Sequence, residues 1–187
     1  MRRKENIDKK LIESFKELAK RIPIEKITIQ EIAEGAGVIR PTFYNHFQDK
    51  YQLLEYIFKS EVIMPVKPLI QNDMLDDAVV LIFVRMLEDK EFYGRVYRLQ
   101  GQNSFESIVK DSLYEILLDF IREYSQDKVS RYKLLSHETL ARYYSEFLGF
   151  IFIVWIRDGM IVSPREMRDL FNYIKDHSLY EIIREME

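Results

Sequence analysis

The sequence predicts an all-α fold, and three observations lead there. Apolar residues recur at helical spacing along most of the 187-residue chain. Only 6 Gly and 5 Pro occur, and they fall mostly between the periodic segments. Thr, Asp or Ser followed three residues on by Glu or Gln opens several of those segments, as helix N-caps do. The chain shows no internal repeat and no low-complexity stretch.

Ile7, Leu11, Ile12, Phe15, Leu18, Ala19 and Ile22 follow a 3.6-residue period, so the first element is an amphipathic helix, ended by Pro23. Thr28-Ile29-Gln30-Glu31 reads as a capping box, with Ile27 and Ile32 at the staple positions. The helix it opens is short, because Gly35-Ala36-Gly37 follows, and Gly37 can take the positive φ of a tight turn. A second short helix is expected from about Arg40 to Phe47. Asp49 caps a third, with Gln52 at the box position. Pro65 and Pro68 break the pattern, so a junction is expected within 60–70. Beyond it, helices are expected at about 73–89, 90–101, 104–125, 137–158 and 164–185. Asn103 with Glu106 reads as one cap and Ser163-Pro164-Arg165-Glu166 as another. The run Leu148 to Ile156 could be a buried strand, but no partner strands are apparent, so a buried helix is expected.

Composition excludes several functions. With 47% apolar and 32% charged residues the chain reads as a soluble globular protein. It has no cysteine, hence no disulfide, thiol nucleophile or thiolate metal site. Its three histidines, His46, His137 and His177, lie far apart, so no metal and no cofactor are expected. No secretory signal is visible, and the longest apolar run is about half of the ~20 residues that span a bilayer. A cytoplasmic protein without membrane contact is expected. There is no nucleophile–base pair, no phosphate-binding glycine loop and no catalytic carboxylate pair; Asp76-Asp77 and Glu88-Asp89 read as helix-end charges. An enzyme is therefore not expected. The net charge of −3 hides an asymmetry: residues 1–50 hold 11 Lys/Arg and 8 Asp/Glu, and the remainder is acidic. The cationic end can sit on phosphates while the acidic remainder stays off the duplex.

A short capped helix, a glycine turn and a second short helix make a helix-turn-helix, whose second helix can lie in the major groove. Thr28 leaves a hydroxyl and amides at a helix start, which suits a phosphate. Arg40 can bond guanine, and Thr42 can meet a thymine methyl or a phosphate. Tyr44 and Lys50 can reach phosphates. Ala33, Val38, Phe43 and Phe47 would supply a small core.

Residues 28–54, with Thr42-Phe43-Tyr44-x-His46-Phe47-x-x-Lys50-x-x-Leu53 at their centre, closely resemble the TetR/AcrR family of bacterial regulators. The resemblance spans about 60 residues, counting the preceding helix. It implies that Thr28, Tyr44 and Lys50 hold the DNA backbone while Arg40, Pro41, Thr42, Asn45 and His46 face the groove; His46 could instead bond a phosphate or simply close the turn. Two departures are visible: Arg40-Pro41 stands where many members have small residues, and Phe43 replaces the commoner leucine. The first suggests an operator peculiar to this protein. Tyr143 to Met160, with Gly149, Trp155, Asp158 and Gly159, then Ser163-Pro164, is similar to a Firmicutes-type subgroup. Some of its members regulate dihydroxyacetone kinase operons.

The resemblance also divides the chain: a helix-turn-helix DNA-binding domain over 1–50, a linking helix over 50–64, and a C-terminal effector-binding and dimerisation domain over 65–187. It implies an effector pocket among the middle helices. The aromatic load there offers Phe92, Tyr97, Arg98, Phe105, Tyr114, Tyr143, Phe147 and Trp155 as lining, though the same aromatics could be solid core. Arg95 and Arg98 could meet an anionic ligand if they point inward, or be solvated surface. The last two long helices would pair across a two-fold axis through Phe150, Ile151, Val154, Met167, Leu170, Phe171 and Ile174. The function expected is a homodimeric repressor that binds a palindromic operator in double-stranded DNA and is released by an unknown small-molecule effector. The alternative is a helix-turn-helix protein with no such effector, constitutive or controlled by a partner protein.

Overall fold

A computed structural model describes residues 2–101, 104–126, 130–132 and 134–185, with side chains from residue 5 onward. The described residues form helices and turns and no strand. Helices α1 (Arg2–Ala19), α2 (Ile29–Gly35) and α3 (Arg40–Tyr44) make the N-terminal head, and α4 (Lys50–Phe58) leads out of it. Then come α5 (Lys67–Gln71), α6 (Leu75–Glu88), α7 (Lys90–Val96) and α8 (Phe105–Ser125). The chain closes with α9 (His137–Arg157), α10 (Pro164–Asp176) and α11 (Leu179–Arg184).

The head is built by local chemistry. The Thr28 hydroxyl accepts from the Glu31 amide at 3.2 Å, and the Thr28 amide donates to the Glu31 carboxylate at 2.8 Å. This is the expected capping box, and it starts α2. Gly37 takes φ +67°, so the chain reverses without a Cβ penalty before α3. Gly35 serves close approach instead: a Cβ there would lie 2.3 Å from Ser14 Oγ, whose hydroxyl donates to the Ile32 carbonyl at 2.8 Å. Asp49 caps α4 by accepting from the amides of Tyr51 and Gln52. Gln52 departs from the box pattern, its side-chain oxygen accepting from the Gln48 amide at 2.6 Å.

The prolines at the junction do not end helical structure. A π turn over Lys59–Ile63 and a 3-10 turn over Met64–Val66 carry α4 onward to α5. Pro65 and Pro68 each occupy a first-turn position, where a missing N–H leaves no bond unmade. One core runs across this junction. Phe15 of α1 meets Phe92 of α7 edge-on at 6.2 Å. The Lys16 ammonium bridges Glu61 at 2.5 Å and Asp89 at 2.9 Å.

Beyond the junction α8 and α9 pack along one another. The ion pairs Lys110–Glu146, Asp111–Arg142 and Arg122–Glu138 step in opposite senses along them, so the two helices run antiparallel. Ala141, Ser145, Gly149, Phe152 and Ile156 form the buried stripe of α9, at spacings of three and four. A Cβ at Gly149 would lie 2.5 Å from Lys110 Cγ, so the missing side chain lets the Lys110 stem cross α9. Leu148 to Ile156 is thus helical. Helix α9 spans 21 residues and holds an 18-residue window of mean hydropathy 1.2, long and apolar enough to cross a membrane by length and composition alone. Helix α10 crosses α6, where Met167 is buried and Asn172 donates to Asp76 at 3.0 Å.

Several expected boundaries differ, among them the end of α3, at Tyr44 and not Phe47. The helix read over 164–185 is two, because His177 is extended (φ −118°, ψ 142°) and Ser178 with Glu181 forms a second capping box that starts α11. The helix read over 90–101 stops at Val96. Asn103 lies outside the described residues; Ser104 caps α8, accepting from the Ser107 amide at 3.1 Å.

Candidate nucleic-acid interface

Phe43 and Phe47, with Leu11, Phe15, Ile32 and Leu53, make the apolar floor of the head. Over it α3 turns outward a set of solvent-facing residues: Arg40, Pro41, Tyr44 and Asn45 are exposed and Thr42 is half-buried. Phe43 meets the Tyr44 ring edge-on at 5.8 Å, so the tyrosine stands on the core with its hydroxyl in solvent. An Arg40 N–H donates to that hydroxyl at 3.0 Å, and the guanidinium lies 5.5 Å from the ring. Arg40 is thereby pre-oriented, and the Tyr44 hydroxyl keeps its own proton for an external acceptor.

Three expected contacts sit differently. Thr28 is exposed, yet its hydroxyl and amide are already bonded to Glu31. Those bonds hold the Glu31 carboxyl below its usual range. The Lys50 ammonium donates to the carbonyls of Glu25 at 2.8 Å and Ile27 at 2.7 Å, closing the turn before α2. Burial pushes its pKa below the usual lysine value. Two of its three donors are used, which leaves one for a phosphate. His46 was expected to face the groove, but its ring points into the head. Its side chain is 8% exposed, and Nδ1 lies 2.6 Å from Asp8 Oδ1 of α1. The backbone after α3 curls back here, the His46 amide donating to Phe43, so position 46 meets α1. His46 and Asp8 therefore tie the end of α3 to α1. Ile39 is a position the motif does not single out: an aliphatic residue, 69% exposed, at the N-cap of α3. Its sequence signal is a β-branched residue where Ser, Thr, Asp or Asn is favoured.

The eight residues expected to line an effector pocket are not brought together. Phe92 and Phe105 are fully buried in a ring cluster with Phe58 and Tyr93, at centroid separations of 5.2 to 6.5 Å. The Tyr93 hydroxyl is buried there without a hydrogen-bond partner, and burial drives its pKa well up. Trp155 lies against Phe83 at 4.9 Å and donates to the Val162 carbonyl at 2.8 Å. Tyr114 sits under the Arg142 guanidinium at 4.2 Å. Tyr143 is exposed and Phe147 half-buried on the outer side of α9. Tyr97 is half-buried, and Arg98 and Arg95 are exposed along a shallow cleft against Ile22 and Pro23. Four open clefts lie on the surface of the described residues, and of the eight only Arg98 lines any of these four. Sequence shows that aromatics are abundant, not whether their rings meet each other or a void.

Of the residues expected at a dimer seam, Phe150 and Leu170 are exposed, at 63% and 42%. Val154, Ile151, Phe171 and Ile174 are half-buried. Met167 is not available: at 4% exposure it belongs to the core. Tyr143 and Phe147 fall on one α9 stripe with Phe150 and Val154, at spacings of four, three and four. Among the described residues no group of three or more His, Asp or Glu could hold a metal ion.

Comparison with known proteins gives consistent matches. Residues 73–178 match the family model of a transcriptional regulator C-terminal region, and residues 11–57 match that of the bacterial regulatory proteins, tetR family. The HTH-type dhaKLM operon transcriptional activator DhaS of Lactococcus lactis subsp. lactis (strain IL1403) is 27% identical over 136 residues, 70% of this chain and 68% of that protein. Among solved structures, the dihydroxyacetone kinase operon activator DhaS superposes with a TM-score of 0.60 at 20% identity, over 90% of this chain and 93% of that one. Thermus thermophilus FadR, a TetR-family repressor in complex with lauroyl-CoA, gives 0.61 at 14% identity, over 87% and 89%. NalD, the secondary repressor of the MexAB-OprM multidrug efflux pump in Pseudomonas aeruginosa, gives 0.59 at 19%, over 88% and 92%. At these identities the three structures speak to the fold alone.

Proposed function

Because the chain belongs to the TetR family of bacterial transcription regulators, we propose that it binds a palindromic operator as a cytoplasmic homodimer, each head placing α3 in a major groove. It is a regulator and not an enzyme. The single observation that carries the operator reading is the exposed set of Arg40, Pro41, Tyr44 and Asn45 standing on a packed Phe43–Phe47 floor. Residues 1–50 form the DNA-binding domain, 50–64 the linking helix and 65–187 the regulatory and dimerisation domain. The outer stripe of α9 and Leu170 of α10 supply the two-fold contact. The similarity to DhaS supports a target near dihydroxyacetone kinase genes.

Two readings of control remain. The first is release of a repressor by a small molecule within the C-terminal domain, which the lauroyl-CoA complex of FadR supports by analogy of fold. The second is control at the surface by a partner protein, or none. The filled ring cluster around Phe105 favours this second reading. The similar proteins divide between an activator and repressors. A reporter strain lacking the protein fixes the sign: transcription rises for a repressor and falls for an activator.

The deciding experiment is binding of the full chain to DNA upstream of its own gene and of dihydroxyacetone kinase genes, across a salt series. Wild type binds tightly with a steep salt dependence, and Tyr44→Ala weakens binding on every sequence, about tenfold for two lost phosphate contacts per dimer. Binding unchanged by the mutation removes the operator reading.

A further inference from the structure

Ile39 breaks a local rule with no compensation inside the fold. It is the N-cap of α3, in extended backbone (φ −87°, ψ 151°), and makes no side-chain cap bond. Ser, Thr, Asp or Asn at that position would satisfy an amide of the first turn, so isoleucine forgoes a cap. Nor does it pack: its side chain is 69% exposed and belongs neither to the core nor to the apolar residues laid against the core. Val38 just before it is packed against the core, so the chain is held here while Ile39 points away. Its exposed companions are Arg40, Pro41 and Tyr44, the surface assigned above to DNA. Local rules fail at functional or strained positions, and the ordinary extended backbone of Ile39 carries no strain.

The chemistry of the major groove supplies one apolar target, the C5-methyl of thymine. Residues at the N-terminal end of a recognition helix are those that reach base edges. We infer that Ile39 is a specificity-determining residue that packs on a thymine methyl in each half-site, next to the base edge that Arg40 reads. This inference rests on the operator reading.

The test uses the full-length protein. Selection from random duplex DNA first yields the preferred site of wild type, of Ile39→Ala and of Arg40→Ala. In the wild-type site each thymine is then replaced singly by deoxyuridine, which removes only the methyl group. One thymine per half-site is expected at which this replacement weakens wild-type binding about fourfold, the size of one methyl contact. Ile39→Ala is expected to bind the thymine and uracil sites equally and to lose its preference at that position alone. Arg40→Ala keeps the methyl effect and loses preference elsewhere. The inference is overturned if Ile39→Ala selects the same thymines as wild type, or if both proteins lose equally on removal of the methyl. Failure of wild type to enrich any sequence overturns the operator reading itself and this inference with it. An unchanged melting temperature of Ile39→Ala excludes a folding defect as the cause.

Discussion

The head and the C-terminal helices use aromatic side chains in contrasting ways. In the head, consecutive residues divide the labour: Phe43 is fully buried, Tyr44 stands on it in solvent, and Phe47 closes the floor. Each role follows from position on one short turn whose start is set by Gly37 and Ile39. In the C-terminal part the rings of Phe58, Phe92, Tyr93 and Phe105 come from the linking helix α4, α7 and α8 and meet only in space. Others of similar sequence character, such as Tyr143 and Phe150, end on the outside. Local order makes the head's chemistry readable from its motif, whereas burial in the C-terminal helices depends on which helix lies opposite.

Removing one ring from each class would break or sharpen that contrast most strongly. Phe105→Ala empties the shared cluster and is expected to lower unfolding free energy by about 3–5 kcal/mol. Tyr143→Ala, at an exposed site, should change the stability of the monomer by less than about 0.5 kcal/mol. Urea unfolding under dimer-dissociating conditions measures both. Equal losses would mean that the outer stripe of α9 is as much core as the ring cluster.

Within the head, the contrast lies between Lys50 and Tyr44. Lys50→Ala leaves two carbonyls without their charged donor. It should cost about 1–3 kcal/mol of stability and weaken DNA binding through a displaced α2. Tyr44→Ala should reduce DNA binding with little change in melting temperature. If Lys50→Ala leaves the melting curve unmoved, its contact is with DNA and not with the turn.

The smallest expected effect is at the α2 cap. Thr28→Ala should cost about 1 kcal/mol near neutral pH. The Glu31 carboxyl is lowered from its ordinary 4.5 chiefly by the Thr28 amide and then by its hydroxyl. A carboxyl lowered on folding contributes stability that is present above its unfolded value and is lost as pH falls through the folded one. Wild type should therefore lose more stability than Thr28→Ala as pH falls below the ordinary carboxyl value of 4.5. Parallel acid limbs in the two proteins would show that the carboxyl gains nothing from the hydroxyl.

What the sequence alone determined is the set of features whose partners lie within a few residues. The all-helical class, the Thr28–Glu31 and Ser163–Glu166 boxes, the Gly37 turn and the Asp49 cap are of this kind. So is the exposed face of α3, because a turn held at both ends leaves few orientations for Arg40 and Tyr44. The tertiary structure alone decided what depends on distant partners. It turned His46 inward to Asp8, 38 residues away, and Lys50 onto carbonyls 23 and 25 residues earlier. It buried Met167 in the core and not at a seam, and it closed Phe92 and Phe105 into packed core where a pocket was expected. A helical repeat identifies an apolar side of each helix. The element that covers that side, and whether a gap is left between them, is fixed by close packing across the whole chain.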